Sequence, residues 1–201
     1  MEIERIPSIV AAFLNVIASR PPTVAKLAPI SGITRAEERP ESLLVRAHAR
    51  IDKARMLLGR GIIDEAGEEA WRAVVDAINA GAAALWGVVA KSHKATSYLE
   101  GKIAEYLERT QGRDVADALR SAYGSAESLH NNYYDPRFDA KTVEANIKQA
   151  ERILQIIKDV VRRSHSSRSL DLYLEPAIAP HLLITLYILA GMREISAPSN
   201  K

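Results

Sequence analysis

The chain has 201 residues, 47% hydrophobic and 26% charged, with a formal net charge of +2 and no cysteine. That length suits a domain with a real core, and the missing thiols exclude disulfides, thiolate metal sites and cysteine nucleophiles. A charge so close to balance is no nucleic-acid-binding signature, so any such surface has to come from local clustering.

In chain order, Ile3 to Arg20 reads as a short helix with Ile6, Ile9, Val10, Phe13, Leu14 and Ile17 on its apolar face. Pro21-Pro22 stops it, because proline lacks the backbone donor and restricts the residue before it. Residues 23–39 read as irregular, with Pro29, Gly32 and Pro40 as breakers. The next helix starts at Pro40 and Glu41, carries Leu43, Leu44, Ala47, Ile51, Ala54, Leu57 and Leu58 as its stripe, and ends at Gly59 and Gly61. Asp64 is expected to cap a long central helix that runs to Ala90. Its apolar face is Trp71, Val74, Val75, Ile78, Ala82, Leu85, Trp86 and Val89. Glu68, Glu69, Arg72, Asp76 and Asn79 fall away from that face. The second half, Ala80 to Ala90, is apolar all round, as in a helix buried by neighbours or by a second subunit. The small residues Ala80 to Ala84 allow another backbone to come close. Residues 41–90 thus read as an antiparallel helical hairpin.

Lys91-Ser92-His93-Lys94 reads as positive charge closing that helix against its dipole, with an anion site as the alternative. A helix follows from Ser97 to Thr110, ending at Gly112. Asp114 then opens another, with Val115, Leu119, Ala122, Ala126, Leu129 and Tyr133 as a packing seam. After Pro136, residues 142–165 form the last long helix, with Val143, Ile147, Ala150, Leu154, Ile157 and Val161 inward. Ser164 to Ser169 reads as a linker, and Leu170 to Ile195 as a short apolar helix. No strand-like alternation of any length occurs, and the hairpin is not repeated as in a solenoid. The expected class is all-α: an antiparallel bundle at 40–165, a helix and irregular linker at 1–39, and a linker with an apolar helix at 166–201. The apolar runs Ile6 to Ala18 and Ala177 to Ala190 fall short of the ~20 residues of a membrane span. The acidic start, MEIERIP, is unlike a signal peptide. A cytoplasmic protein is expected.

Chemistry concentrates in one segment. Arg120, Tyr123, Glu127, His130 and Tyr134 recur at three and four, on one helical face. With Asn131 and Asp135 at the helix end, they could bind a nucleotide, a phosphate or a base. Otherwise His130 and the tyrosines sit at the core edge, satisfied by hydrogen bonds. Arg162, Arg163 and Arg168 are the densest positive cluster. They read either as a helix C-terminus or as a phosphate contact. No phosphate loop, metalloprotease element or nucleophile elbow is present, and neither metal nor cofactor is expected.

The hairpin LLVRAHARIDKARMLLGRGIIDEAGEEAWRAVVDAINA, with Ala66, Glu68 or Glu69, Ala70, Trp71 and Ala73 as its core element, resembles the archaeal PaREP family. Leu129-His130-Asn131-Asn132-Tyr133-Tyr134-Asp135 is similar to a second element of that family. The resemblance covers residues 41–165. It implies a relation to HEPN domains, helical bundles that are commonly dimeric and associated with nucleotides or RNA. A homodimer, a nucleotidyltransferase partner and a nucleotide or RNA ligand are what it leads one to expect, with a ligand-free dimerisation protein as the alternative. Catalytic HEPN ribonucleases carry an Arg four to six residues before a His, and no histidine here has that partner. Arg120 precedes His130 by ten residues, about 15 Å along a helix. The resemblance therefore points to a non-catalytic module, unless two subunits share a composite ribonuclease site.

Overall fold

A computed structural model describes residues 32–174, with side-chain surroundings through residue 164. The expected helices at Ile3 to Arg20 and beyond residue 174 lie outside the described residues. In chain order the elements are β1 (Ile33–Arg35), α1 (Pro40–Gly59), α2 (Ile63–Trp86), β2 (Val88–Ala90), α3 (His93–Gln111), α4 (Arg113–Tyr134) and α5 (Ala140–Leu174). The class is all-α, with one two-stranded antiparallel ribbon in which Ile33 pairs with Ala90 and Arg35 with Val88. Among the described residues, 32–164 belong to one compact unit, and those from His165 on count as a second.

The α1–α2 hairpin forms as the hydrophobic stripe requires. Leu43, Leu44, Ala47, Ile51 and Ala54 are buried, and Leu57 and Leu58 partly so. Its turn is a Schellman motif. The Gly61 N–H donates to the Leu58 carbonyl at 2.9 Å and the Ile62 N–H to the Leu57 carbonyl at 3.0 Å. Gly61 takes φ +76°, a left-handed conformation that glycine adopts without a Cβ penalty. Asp64 is not the cap of α2. The helix starts one residue earlier, and Asp64 accepts a hydrogen bond from the Asn132 side chain at 3.2 Å. Asp114 likewise sits inside the first turn of α4, with Gly112 before it and no side-chain cap.

The central helix is shorter than its apolar pattern suggests. It ends at Trp86, and Gly87 at φ +69° turns the chain into β2. An apolar run cannot by itself distinguish a buried helix from a buried strand, and Gly87 followed by two valines favours the strand. Asn79 anchors that strand to α2: its side-chain oxygen accepts from the Ala90 N–H at 2.7 Å, and its amide donates to the Ala90 carbonyl at 3.2 Å. One side chain thus satisfies both backbone groups of Ala90, a buried residue of β2.

From Ala66 to Trp86 only Arg72 and Val75 reach solvent. Glu68, Glu69, Asp76 and Asn79, expected on a solvated face, are therefore all buried. Their charges are met from α1. Arg46 clamps Asp76 through two bonds of 3.0 and 2.9 Å, Arg50 bridges Asp76 and Glu69, and Lys53 reaches Glu69 at 3.0 Å. The hydrogen bond to Asp76 holds the Arg46 guanidinium firmly charged. Burial opposes ionisation of Glu69, but Lys53 and Arg50 outweigh it and hold its carboxyl below the usual range.

On the remaining sides α2 packs against α3, α4 and α5. Of the α4 seam, Leu119, Ala122, Ala126 and Leu129 are fully buried, Val115 at its start is partly buried, and Tyr133 at its end is exposed. All six inward positions of α5 are buried. Its backbone stays helical through Ser164 to Ser169, where a linker was expected. Gly81 lies between two neighbours: a Cβ there would sit 3.0 Å from the Ile103 side chain of α3 and 3.2 Å from that of Ile157 on α5. Gly81→Leu is expected to cost about 1–3 kcal/mol of unfolding free energy by overpacking. Denaturant titration checks this, and a variant as stable as the parent would place the α3–α2–α5 contact elsewhere.

Candidate functional site

The segment 91–94 does not close the central helix; it opens α3. The Ser92 side chain caps that helix by accepting from the Ala95 N–H at 3.3 Å. His93 is its first residue and is brought over the face of α4. Two imidazoles, from α3 and α4, meet on Trp71 of α2. The Trp71 and His130 rings stack at 5.4 Å and 26°, and His93 meets Trp71 edge-on at 5.2 Å. The two imidazole centres are 5.7 Å apart and nearly perpendicular.

Each imidazole has its own carboxylate. His93 Nε2 lies 2.7 Å from Glu127 of α4, and His130 Nδ1 lies 2.9 Å from Glu68 of α2. An ionised carboxylate can only accept, so the bonded nitrogen carries the proton in each ring. The other two nitrogens, His93 Nδ1 and His130 Nε2, have no hydrogen-bond partner among the described residues. Glu68 also accepts from Arg72 at 3.1 Å, joining the site to the charge network of the hairpin. The group opens to solvent: 44% of the His93 side chain and 22% of that of His130 are exposed. Tyr134 meets His130 edge-on at 5.1 Å and is 73% exposed.

Beneath the imidazoles the surroundings become dry. Tyr123 is buried edge-on to Trp71 at 5.6 Å, and its hydroxyl finds no well-aligned partner. Burial raises its pKa, aided by the negative charge of Glu127 and Glu100. Glu100 of α3 is buried too, with one carboxyl oxygen unpartnered among the described residues. Burial pushes its pKa up to about 7. Arg120 opposes that shift, and Glu127 adds to it.

The helical face read from the sequence is thus partly assembled. Tyr123, Glu127, His130 and Tyr134 come together around Trp71. Arg120 does not join them; its guanidinium is held by Asp117 at 2.8 Å and Glu108 at 3.2 Å. Asn131 and Asp135 turn to the next face of α4, where they line an open depression of about 210 Å³ with Phe138 and Arg137. Arg162 pairs with Asp159 at 3.0 Å and Arg163 lies near Tyr106. The side chain of Arg168 lies outside the described residues. His93, Glu68 and Trp71 are the members that helical periodicity on α4 could not supply, because they come from other helices.

The fold and this cluster define an all-α bundle with an aromatic and imidazole surface built on a buried central helix. The chain belongs to the archaeal PaREP1/PaREP8 family, whose model matches residues 43–154, more than half of the chain. That span begins in α1 and ends within α5, and it contains every residue of the cluster. No curated protein matches the chain.

The buried Glu100 gives this region a pH signature. Between the ordinary carboxyl value of 4.5 and about 7, the folded protein keeps a proton that the unfolded chain releases. Stability is therefore fully present below that window and is lost as pH rises through about 7. Glu100→Gln is expected to be more stable than the parent above about pH 8, by on the order of 2–3 kcal/mol at most, with the gap closing near pH 4. Thermal unfolding across pH checks this. A gap independent of pH would show that Glu100 is ionised in the fold.

Proposed function

We propose that the chain is a HEPN-like bundle that binds single-stranded RNA or a nucleotide on the surface formed by Tyr134, His130 and His93. The observation that carries this is the exposed Tyr134 ring set against a carboxylate-held imidazole on rigid helices. An exposed aromatic face offers a stacking surface to any base, and an imidazole whose first nitrogen is held by a carboxylate can, once protonated, donate from its second nitrogen to phosphate. Lys94, exposed and next to His93 in the first turn of α3, is a further cation for this reading. In this reading the protein works in the cytoplasm as a homodimer, alongside a nucleotidyltransferase.

Binding is tested by titrating fluorescently labelled oligouridylate and oligoadenylate, and separately AMP and ATP, into parent, Tyr134→Ala and His130→Ala proteins. Loss of one stacked base is worth about 1–3 kcal/mol, so Tyr134→Ala is expected to weaken binding roughly tenfold or more. Affinity unchanged in both variants would move the contact elsewhere, with Arg162, Arg163 and Arg168 the next surface to test. No binding by the parent would favour a ligand-free dimerisation protein.

A further inference from the structure

We propose that the depression at the end of α4 is a base-reading subsite, where Asn131 and Asp135 select amino-bearing bases against uracil. This rests on the RNA-binding reading above and names which bases the strand beside Tyr134 carries. Asn131, Tyr134 and Asp135 are surface neighbours on the last turn of α4, at spacings of three and four. A base stacked on Tyr134 therefore leaves its neighbour in the strand at the mouth of the depression. That space, about 210 Å³, is lined by Ser128, Asn131, Asn132, Asp135, Arg137 and Phe138 and has room for a single base.

The walls of the depression are held by hydrogen bonds that leave the reading groups available. The Asn132 side-chain oxygen accepts from the N–H groups of Arg137 and Phe138 at 2.7 and 2.8 Å, and its amide donates to Asp64. The turn after α4 is thereby tied to α2. Asn146 of α5 donates to the Ser128 hydroxyl at 3.2 Å. Phe138 is half-buried against the core and offers the base an apolar wall. The Asn131 side chain has no hydrogen-bond partner among the described residues, and Asp135 meets Arg137 through Oδ2. An amide carries donors and an acceptor, so by turning over it matches the edge of any base. An ionised carboxylate has no such freedom and only accepts. Adenine, cytosine and guanine each bring an exocyclic amino group that donates to it. Uracil has none and sets a carbonyl oxygen against the carboxylate, two acceptors with no proton between them. Asp135 is therefore the residue that discriminates, and Asn131 the one that holds. The exposed guanidinium of Arg137 offsets the carboxylate's charge near the phosphates and offers its remaining N–H groups to them.

The experiment titrates labelled oligocytidylate and oligouridylate of equal length into the full chain, as parent, Asp135→Asn and Asn131→Ala. Both strands carry pyrimidines of the same size, so their affinity ratio reports the base edge and not the stack on Tyr134. The parent is expected to bind oligocytidylate roughly tenfold more tightly, the usual order for one good base-edge contact. Asp135→Asn should bring the ratio close to one, because an amide can donate to the uracil carbonyl. Removing a negative charge strengthens RNA binding in general, and the ratio cancels that gain. Asn131→Ala should weaken oligocytidylate binding roughly tenfold. Both side chains are exposed, so neither variant empties the core. If Asp135→Asn does not fold, the parent's ratio and Asn131→Ala still decide. Equal affinity of the parent for the two strands, or a ratio that survives in Asp135→Asn, overturns the subsite. Binding that is then still lost in Tyr134→Ala leaves the RNA-binding reading standing. No RNA bound by the parent overturns both.

Discussion

The constraint on which the structure depends is the near-complete burial of α2. A helix covered along most of its length cannot leave a polar side chain without a partner, since an unpaired buried charge costs several kcal/mol. Each of its polar residues accordingly determines a neighbour. Asp76 and Glu69 draw Arg46, Arg50 and Lys53 and set the register of α1. Asn79 holds β2. Glu68 draws His130 and so sets where α4 lies. Such pairs add little net stability over apolar packing, but they discriminate between alternative helix registers, because a shifted register leaves carboxylates unpaired.

The candidate site is a continuation of that same network. Glu68 is both the last link of the hairpin's charge chain, through Arg72, and the orienting group of an imidazole at the surface. Trp71, next but two along α2, is the floor on which both imidazoles rest. The side chains of the cluster therefore sit on three helices locked by core packing, with no loop needed to hold them, which is how a constellation is kept preorganised. Below them Tyr123 and Glu100 lie in a dry pocket where burial, together with the negative charge of Glu127, makes both groups hold their protons to higher pH than usual.

Much of the fold was legible because helical periodicity survives in single elements. The stripes of α1 and α5 and the α4 seam up to Leu129 came directly from spacing, and Trp71 is the core anchor its position suggested. Three things were not legible, each for a physical reason. The end of α2 was hidden because a fully buried segment is apolar whether it is helix or strand, and only Gly87 marked the change. The burial of Glu68, Glu69 and Asp76 was hidden because a charged residue looks solvated until its partner on another helix is known. The site itself was half visible. One stripe on α4 exposed Tyr123, Glu127, His130 and Tyr134 as a set, yet the same rule included Arg120, which α3 and its own helix hold elsewhere. His93 was read as a charge at the wrong end of the wrong helix, although Ser92 three residues before Ala95 is a capping signal of the ordinary kind.

The most direct measurement is the tautomeric state of the two histidines by imidazole-nitrogen NMR on the full chain, at a pH where both rings are neutral. With Glu127 and Glu68 where the structure has them, His93 should carry its proton on Nε2 and His130 on Nδ1, opposite tautomers within one site. Two rings in the same tautomer, or both averaging between tautomers, would contradict the carboxylate-held pair on Trp71.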